Sequence, residues 1–219
     1  MGAVFFDLDG TLIDSLADLG QAVNRALADL GFPGHEPEKY RQYIGEGARR
    51  LVERALPEDA RYKKGMIEKA LGKYIAHYDS AWCDQTVVYP GMPELLGQLQ
   101  MRGVSVGVIS NKPHAFTTKC VDHFFPQVCF AVVAGQKEGV PRKPDPTAAL
   151  LAADALGVEV KSCVYVGDSG VDMAFAKAAG MRAAGVSWGF RDREELWAAG
   201  ADEVFDDANG LSQFLFQTI

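Results

Sequence analysis

Apolar residues follow two rhythms along this chain, and the change from one to the other divides it. Ala3-Val4-Phe5-Phe6 is apolar without interruption, which predicts a short buried strand. Past Ser15 the period lengthens. Leu16, Leu19, Val23, Leu27 and Leu30 recur at helical spacing, and Gly31 with Pro33 just beyond supplies the stop. Residues 48–55 and 60–78 predict further helices, the second cut by two glycines, and nothing from 16 to about 81 reads as a strand. Val87-Val88-Tyr89 followed by Pro90-Gly91 then punctuates the chain.

From there strands and helices alternate. The pattern predicts helices at 93–100, 113–124, 146–156, 171–179 and 194–199. Strands fall between them at 104–109, 130–133, 163–166, 182–186 and 203–205. This rhythm implies an α/β fold, Rossmann-like and doubly wound, with a mainly parallel sheet covered by helices on both faces. Residues 16–83 form a helical insertion in that scheme, leaving 1–15 and 84–219 as the core. No internal repeat or low-complexity segment is visible.

Sheets of this kind bind ligands outside the carboxyl ends of their strands, so chemistry is sought there. The first strand ends in Asp7-Leu8-Asp9-Gly10-Thr11. Residues i and i+2 of an extended segment project to one side, so Asp7 and Asp9 are expected to face one site. Two like charges that close need a cation, a shared proton, or both. A metal-assisted reaction, one carboxylate acting as nucleophile and the other as general acid/base, has that requirement. Alone, the segment reads equally well as a solvated acidic turn. Ser110-Asn111-Lys112-Pro113 follows another strand and offers a hydroxyl and helix N-terminal amides to an anion, although Ser and Asn also serve as ordinary caps. In Arg142-Lys143-Pro144-Asp145-Pro146 the prolines stiffen a loop that presents one lysine. Gly167-Asp168-Ser169-Gly170-Val171-Asp172 places two carboxylates at a helix start, where they also complement the helix dipole.

Together the four stretches bring four carboxylates, one lysine and an anion cradle to one edge of one sheet. Oxygen-rich donors without His or Cys select a hard cation, Mg²⁺ first. A carboxylate nucleophile meeting a phosphate dianion is repelled by several kcal/mol at contact in an effective dielectric of about 20. The metal and Lys143 offset that repulsion, and phosphoryl transfer, which depends on positioning and charge neutralisation, is the chemistry that fits. The 219-residue length and 48% hydrophobic content suit one core with a modest insertion. A net charge of -7 argues against a nucleic-acid partner. No apolar run spans a bilayer, so no membrane partner is expected. Cys83, Cys120, Cys129 and Cys163 lack metal-ligand spacing and read as buried free thiols in a reducing, cytoplasmic setting.

The motifs DLDGTLIDS, SNKP, RKPDP and GDSGVD, in that order around a helical insertion, resemble the haloacid dehalogenase superfamily, and within it phosphatases of the phosphoglycolate phosphatase type. The resemblance covers nearly the whole chain. It implies Asp7 as nucleophile through an aspartyl-phosphate, and Asp9 as acid to the leaving oxygen and then base to water. It implies Mg²⁺ held by Asp7, the main-chain carbonyl of Asp9 and Asp168, supported by Asp172. Ser110, Asn111 and Lys143 would hold the phosphate of a small metabolite, with 2-phosphoglycolate the best guess. Dehalogenases of the family lack an aspartate where Asp9 stands, and no Schiff-base lysine of the phosphonatase kind is evident. Pyrophosphate or sugar-phosphate hydrolysis, a phosphomutase and a non-catalytic binding module are the alternatives. Substrate choice is expected in the cap, where Gly45, Glu46 and Arg49 resemble the family's loop, with Arg49 placed to pair with a carboxylate. Trp188 also fits the family's pattern, as a packing residue or a substrate contact. A monomer and a homodimer are both compatible with the sequence.

Overall fold

The computed structural model describes residues 2–219; Met1, at the head of the core segment read from the sequence, lies outside them. Strand β1 (Ala3–Phe6) and β2 (Ile13–Asp14) lead into five helices: α1 (Leu16–Ala28), α2 (Pro37–Arg41), α3 (Ala48–Ala55), α4 (Glu58–Arg61) and α5 (Met66–Ala81). After β3 (Val87–Val88) come α6 (Met92–Met101), β4 (Ser105–Pro113), α7 (His114–Phe124), β5 (Val132–Gln136) and α8 (Thr147–Leu156). A 3₁₀ turn at Val160–Ser162 precedes β6 (Val164–Gly167), α9 (Gly170–Ala179), β7 (Arg182–Val186), α10 (Arg193–Ala198), β8 (Glu203–Phe205) and α11 (Ala208–Thr218). Six strands form one sheet in the order β5-β4-β1-β6-β7-β8. Every neighbouring pair in it is parallel.

Alternate residues of β1 face opposite sides of the sheet. Val4 and Phe6 pack with Leu95, Leu96 and Leu99 of α6 and Leu211 and Leu215 of α11. Ala3 and Phe5 pack with Ala149 and Ala152 of α8 and Met173 and Phe175 of α9. The sheet is therefore doubly wound, and its central strands are apolar without alternation because both faces are covered. Phe5 and Phe6 are fully buried, each contributing about 1.5–3 kcal/mol. The register sets Phe6 opposite both Val108 and Val166, so β1, β4 and β6 open at one edge.

Helices α1–α5 bury a cluster of their own. Leu19, Val23 and Leu27 of α1 meet Tyr74 and Tyr78 of α5, together with Tyr40 and Leu51, and the cluster also takes in Phe116 and Phe190 from outside the segment. The helical stretch over 60–78, expected to be cut by two glycines, is cut at one of them, into α4 and α5. Gly65, at φ +75°, makes the break, whereas Gly72 lies inside α5 without interrupting it. The chain leaves for these helices and returns from them side by side, because β2 pairs antiparallel with β3, Ile13 opposite Val88. Buried Asp18, in the first turn of α1, fastens this junction by accepting from Gln85 N, Thr86 N (2.8 Å) and the Thr86 hydroxyl (2.6 Å). The β2–β3 ribbon, α2 and α11 were not foreseen. Cys120 and Cys163 are buried free thiols as expected, but Cys83 is half-buried and Cys129 exposed.

Candidate active site

β1 ends at Phe6, and the chain turns at once. Leu12 N and Ile13 N both return to Leu8 O (3.0 and 3.1 Å), while Gly10 N donates to Ile13 O at 2.8 Å. Gly10 takes φ +87°, and a Cβ there would lie 2.2 Å from Asp168 Oδ2. Glycine is required twice over, for the turn and for the approach of Asp168.

Asp7, Asp168 and Asp172 each bring an oxygen within 4.8 Å of the others, and all three are buried. Asp168 follows β6 and is held by the Phe190 N–H (2.7 Å) and the Thr11 hydroxyl (3.3 Å). Asp172 lies in the first turn of α9 and closes a capping box with Ser169, accepting from its N–H at 3.1 Å and its hydroxyl at 2.6 Å. Lys143 donates to Asp172 Oδ1 at 2.6 Å and to the Tyr165 hydroxyl at 2.8 Å. Its Nζ also lies 3.0 Å from Asp7 Oδ1. That oxygen is buried and makes no well-directed hydrogen bond; its contact with Lys143 is an ion pair.

Burial pushes the Asp7 carboxyl up to about 6; Asp172 and Asp9 push the same way, against Lys143 and the Ser110 hydroxyl. Asp168 is raised as well, by burial first and then by Asp172 and Asp7. Burial alone would pull Lys143 down, but Asp172 and Asp7 together hold it above its ordinary value. Three buried carboxylates thus lie together, and Lys143 pairs with two of them, Asp7 and Asp172. A hard divalent cation fits this all-oxygen set.

Asp9 stands apart. Because β1 stops at Phe6, Asp9 lies on the turn rather than on an extended strand, and its carboxylate is outside the three-aspartate cluster. It accepts from Lys112 Nζ (2.8 and 3.1 Å) and from the Ser15 hydroxyl (2.6 Å). The charge problem read from Asp7 and Asp9 is therefore solved with a separate lysine for each. Lys112 was not singled out in the sequence, although it directly follows Ser110-Asn111; nothing local says that a lysine there is buried.

Ser110, Asn111 and Lys112 belong to the last part of β4, which runs on to Pro113 through a register shift rather than ending at Ile109. They line a cavity with Asp7 and Asp9, closed on the far side by Ile44, Gly45, Gly47, Ala48, Leu51 and Tyr74 from the helical segment. Its free volume to a water-sized sphere is about 30 Å³. The Ser110 hydroxyl accepts from Lys112 N at 3.3 Å. The Asn111 side chain, expected on phosphate, is spent on backbone: it donates to Gly45 O (3.0 Å) and Lys143 O (3.2 Å) and accepts from Lys143 N (2.9 Å). It clasps three loops together and leaves no side-chain donor for a ligand.

The three cap residues separate. Gly45 lines the cavity. Arg49 instead pairs with Glu68 at 2.5 Å on the outer surface, and Glu46 pairs with Arg54, half-buried. Glu46 and Arg49 border an open groove with Arg50, Glu53 and Arg142 that Lys143 also lines. The reason is geometric: past Gly47 the helix begins, and the side chains that reach inward from it are Ala48 and Leu51. Trp188 packs in the core cluster and donates from Nε1 to Thr11 O at 3.2 Å, bracing the turn.

Residues 4–186 match the family model described as haloacid dehalogenase-like hydrolase. The chain belongs to that family. A phosphoglycolate phosphatase from Pseudomonas putida is 37% identical over 211 residues, covering 95% of this chain and 77% of that one. A phosphoglycolate phosphatase from Rhodospirillum rubrum is 37% identical over 221 residues, covering 97% and 90%. Among solved structures, a protein from Lactobacillus delbrueckii subsp. bulgaricus superposes with a TM-score of 0.90 at 29% identity, with 97% of each chain covered. A predicted phosphoglycolate phosphatase from Haemophilus somnus gives 0.86 at 27% identity, with 98% of each covered. The chain is thus a hydrolase of this family, phosphoglycolate phosphatase-like along its full core and helical segment.

Proposed function

We propose that this protein is a Mg²⁺-dependent phosphomonoesterase acting on a small phosphorylated acid, 2-phosphoglycolate first. The observation that carries the reading is Asp7 Oδ1: a buried carboxylate oxygen that makes no well-directed hydrogen bond, at the mouth of β1, beside a cluster of acids and one lysine. Asp7 attacks phosphorus in line and becomes an aspartyl-phosphate. Asp9 gives its proton to the leaving oxygen and then takes one from the hydrolytic water. The Ser110 hydroxyl and Lys143 hold the phosphate oxygens. Asp7, Asp168 and the main-chain carbonyl of Asp9 would hold Mg²⁺, with Asp172 supporting them. When bound, the ion neutralises charge on the transferring phosphoryl group.

The substrate is inferred from the curated relatives and from the small cavity. Its wall of Gly45, Gly47 and Ala48 brings backbone, not long side chains, to the ligand. A cavity of about 30 Å³ holds only a water or two, so residues 16–83 act as a cap that withdraws to admit substrate. Among the described residues no helix is long and apolar enough to cross a membrane. The proposal includes a cytoplasmic setting and a monomer or homodimer, and the net charge of -7 speaks against a nucleic-acid partner.

The test is phosphate release from 2-phosphoglycolate, pyrophosphate, sugar phosphates and p-nitrophenyl phosphate, with Mg²⁺ and with EDTA. The expected result is Mg²⁺-dependent kcat/KM concentrated on 2-phosphoglycolate. Broad, weak activity would discard that substrate and keep the phosphatase; none on any substrate would leave a binding module.

A further inference from the structure

Lys112 is buried in the cavity wall, and its ammonium is directed to two side chains of the protein. Its Nζ donates to Asp9 Oδ1 (2.8 Å), to Asp9 Oδ2 (3.1 Å) and to the Tyr78 hydroxyl (2.8 Å). The ammonium therefore ties one carboxylate and one phenol together, its two contacts to Asp9 being the forked hold of a single carboxylate.

Its partners come from different parts of the fold. Asp9 lies on the turn after β1, and Lys112 is on β4. Tyr78 is on α5, stacked on cavity-lining Tyr74 at 5.7 Å and edge-on to Phe116 at 4.9 Å. Its ring also lies 4.7 Å from the ammonium. A buried ion pair contributes little net stability, because desolvation offsets most of the attraction. What this pair does provide is position. A general acid on a turn has no strand or helix to aim it; among the described residues, Lys112 and the Ser15 hydroxyl are the groups that fix the Asp9 carboxylate.

We propose that Lys112 is a positioning residue for Asp9, and that Tyr78 makes its hold depend on α5 being seated against the sheet edge. Asp9 is then aimed only when the helical segment is closed over the substrate. This rests on the proposed role of Asp9 as acid to the leaving oxygen. Lys112 acts through Asp9, so its loss matters most where proton donation matters most.

The experiment compares kcat on two substrates, the best alkyl phosphate of the panel and p-nitrophenyl phosphate, whose leaving group needs little protonation. Lys112→Met is expected to lose roughly 100-fold on the alkyl ester and under about 10-fold on the aryl ester. Tyr78→Phe keeps the ring and removes the acceptor; it is expected to lose about three- to tenfold, on the alkyl ester alone. The double variant is expected to be no worse than Lys112→Met, since Tyr78 acts through Lys112. Equal losses on both substrates in Lys112→Met, or a double variant that multiplies the single losses, would overturn the proposal. Should Lys112→Met fail to fold by circular dichroism, Tyr78→Phe decides: unchanged rates on both substrates overturn the coupling. A wild type active on both esters whose ratio no variant moves sinks this inference alone. A wild type inactive on both overturns the phosphatase reading and this inference with it.

Discussion

The carboxyl edge of the sheet and the loop at the start of α3 both carry charged residues that look functional in sequence, and the fold treats them in opposite ways. At the sheet edge Asp7, Lys143, Asp168 and Asp172 are all buried and face one another. At the loop, Arg49 and Arg50 find partners on the outer surface, Glu68 and Glu53, and Glu46 pairs with half-buried Arg54. Exposed pairs of that kind are worth little, whereas burying like charges is costly and persists only where something else requires it. The proposed chemistry uses the charges whose burial is costly. The loop contributes shape instead: Gly45 and Gly47, both at positive φ, carry the backbone to the cavity.

The contrast breaks most sharply at Asp7. Asp7→Asn is expected to lower turnover by roughly 10³-fold or more while circular dichroism stays unchanged. Appreciable turnover in that variant would move the nucleophile elsewhere. Lys143→Met comes next. It leaves Asp7 and Asp172 buried without their ammonium, and denaturant unfolding is expected to show a loss of about 3–5 kcal/mol.

A smaller effect concerns pH. The folded Asp7 carboxyl, at about 6, lies above the unfolded value of 3.8. Between those values the metal-free folded state binds more protons than the unfolded chain, so this group's contribution to stability falls as pH rises through the window. Asp7→Asn removes the slope. Without metal, the variant is expected to gain stability relative to wild type between pH 4 and pH 7, read as a growing difference in Tm. A constant difference would show that Asp7 is not strained by burial. By the same sign, Mg²⁺ binding near pH 6 is expected to release protons, measurable by calorimetry in buffers of different ionisation enthalpy. The smallest effect belongs to the loop: Arg49→Ala is expected to change kcat/KM by less than about threefold, because it breaks an exposed pair. A loss confined to carboxylate-bearing substrates would restore Arg49 to the site.

The same division governs what could be read from sequence. β1, α3, β7 and β8 fall on their expected bounds because an apolar run or a helical period is a local property. The β2–β3 ribbon is invisible for the opposite reason: two residues on each side pair across a long insertion, and neither strand has a pattern of its own. α11 was legible and overlooked, since Asp207 caps it by accepting from Gly210 N. In the candidate site, glycine, proline and acid spacing singled out Asp7, Lys143, Asp168 and Asp172, which the fold buries near one another. The partners of Asn111, the burial of Lys112 and the outward turn of Arg49 depend on which loops meet in space, and no spacing encodes that.

The most direct measurement is chemical trapping of the phosphorylated enzyme. Protein turning over its best substrate with Mg²⁺ is quenched with borohydride, which reduces an aspartyl-phosphate to homoserine, and the N-terminal peptide is sequenced by mass spectrometry. Homoserine at position 7, absent without substrate, is the expected result. Active enzyme that yields no modification at Asp7, or yields it at another aspartate, would contradict the assignment of the sheet edge as the catalytic centre built on Asp7.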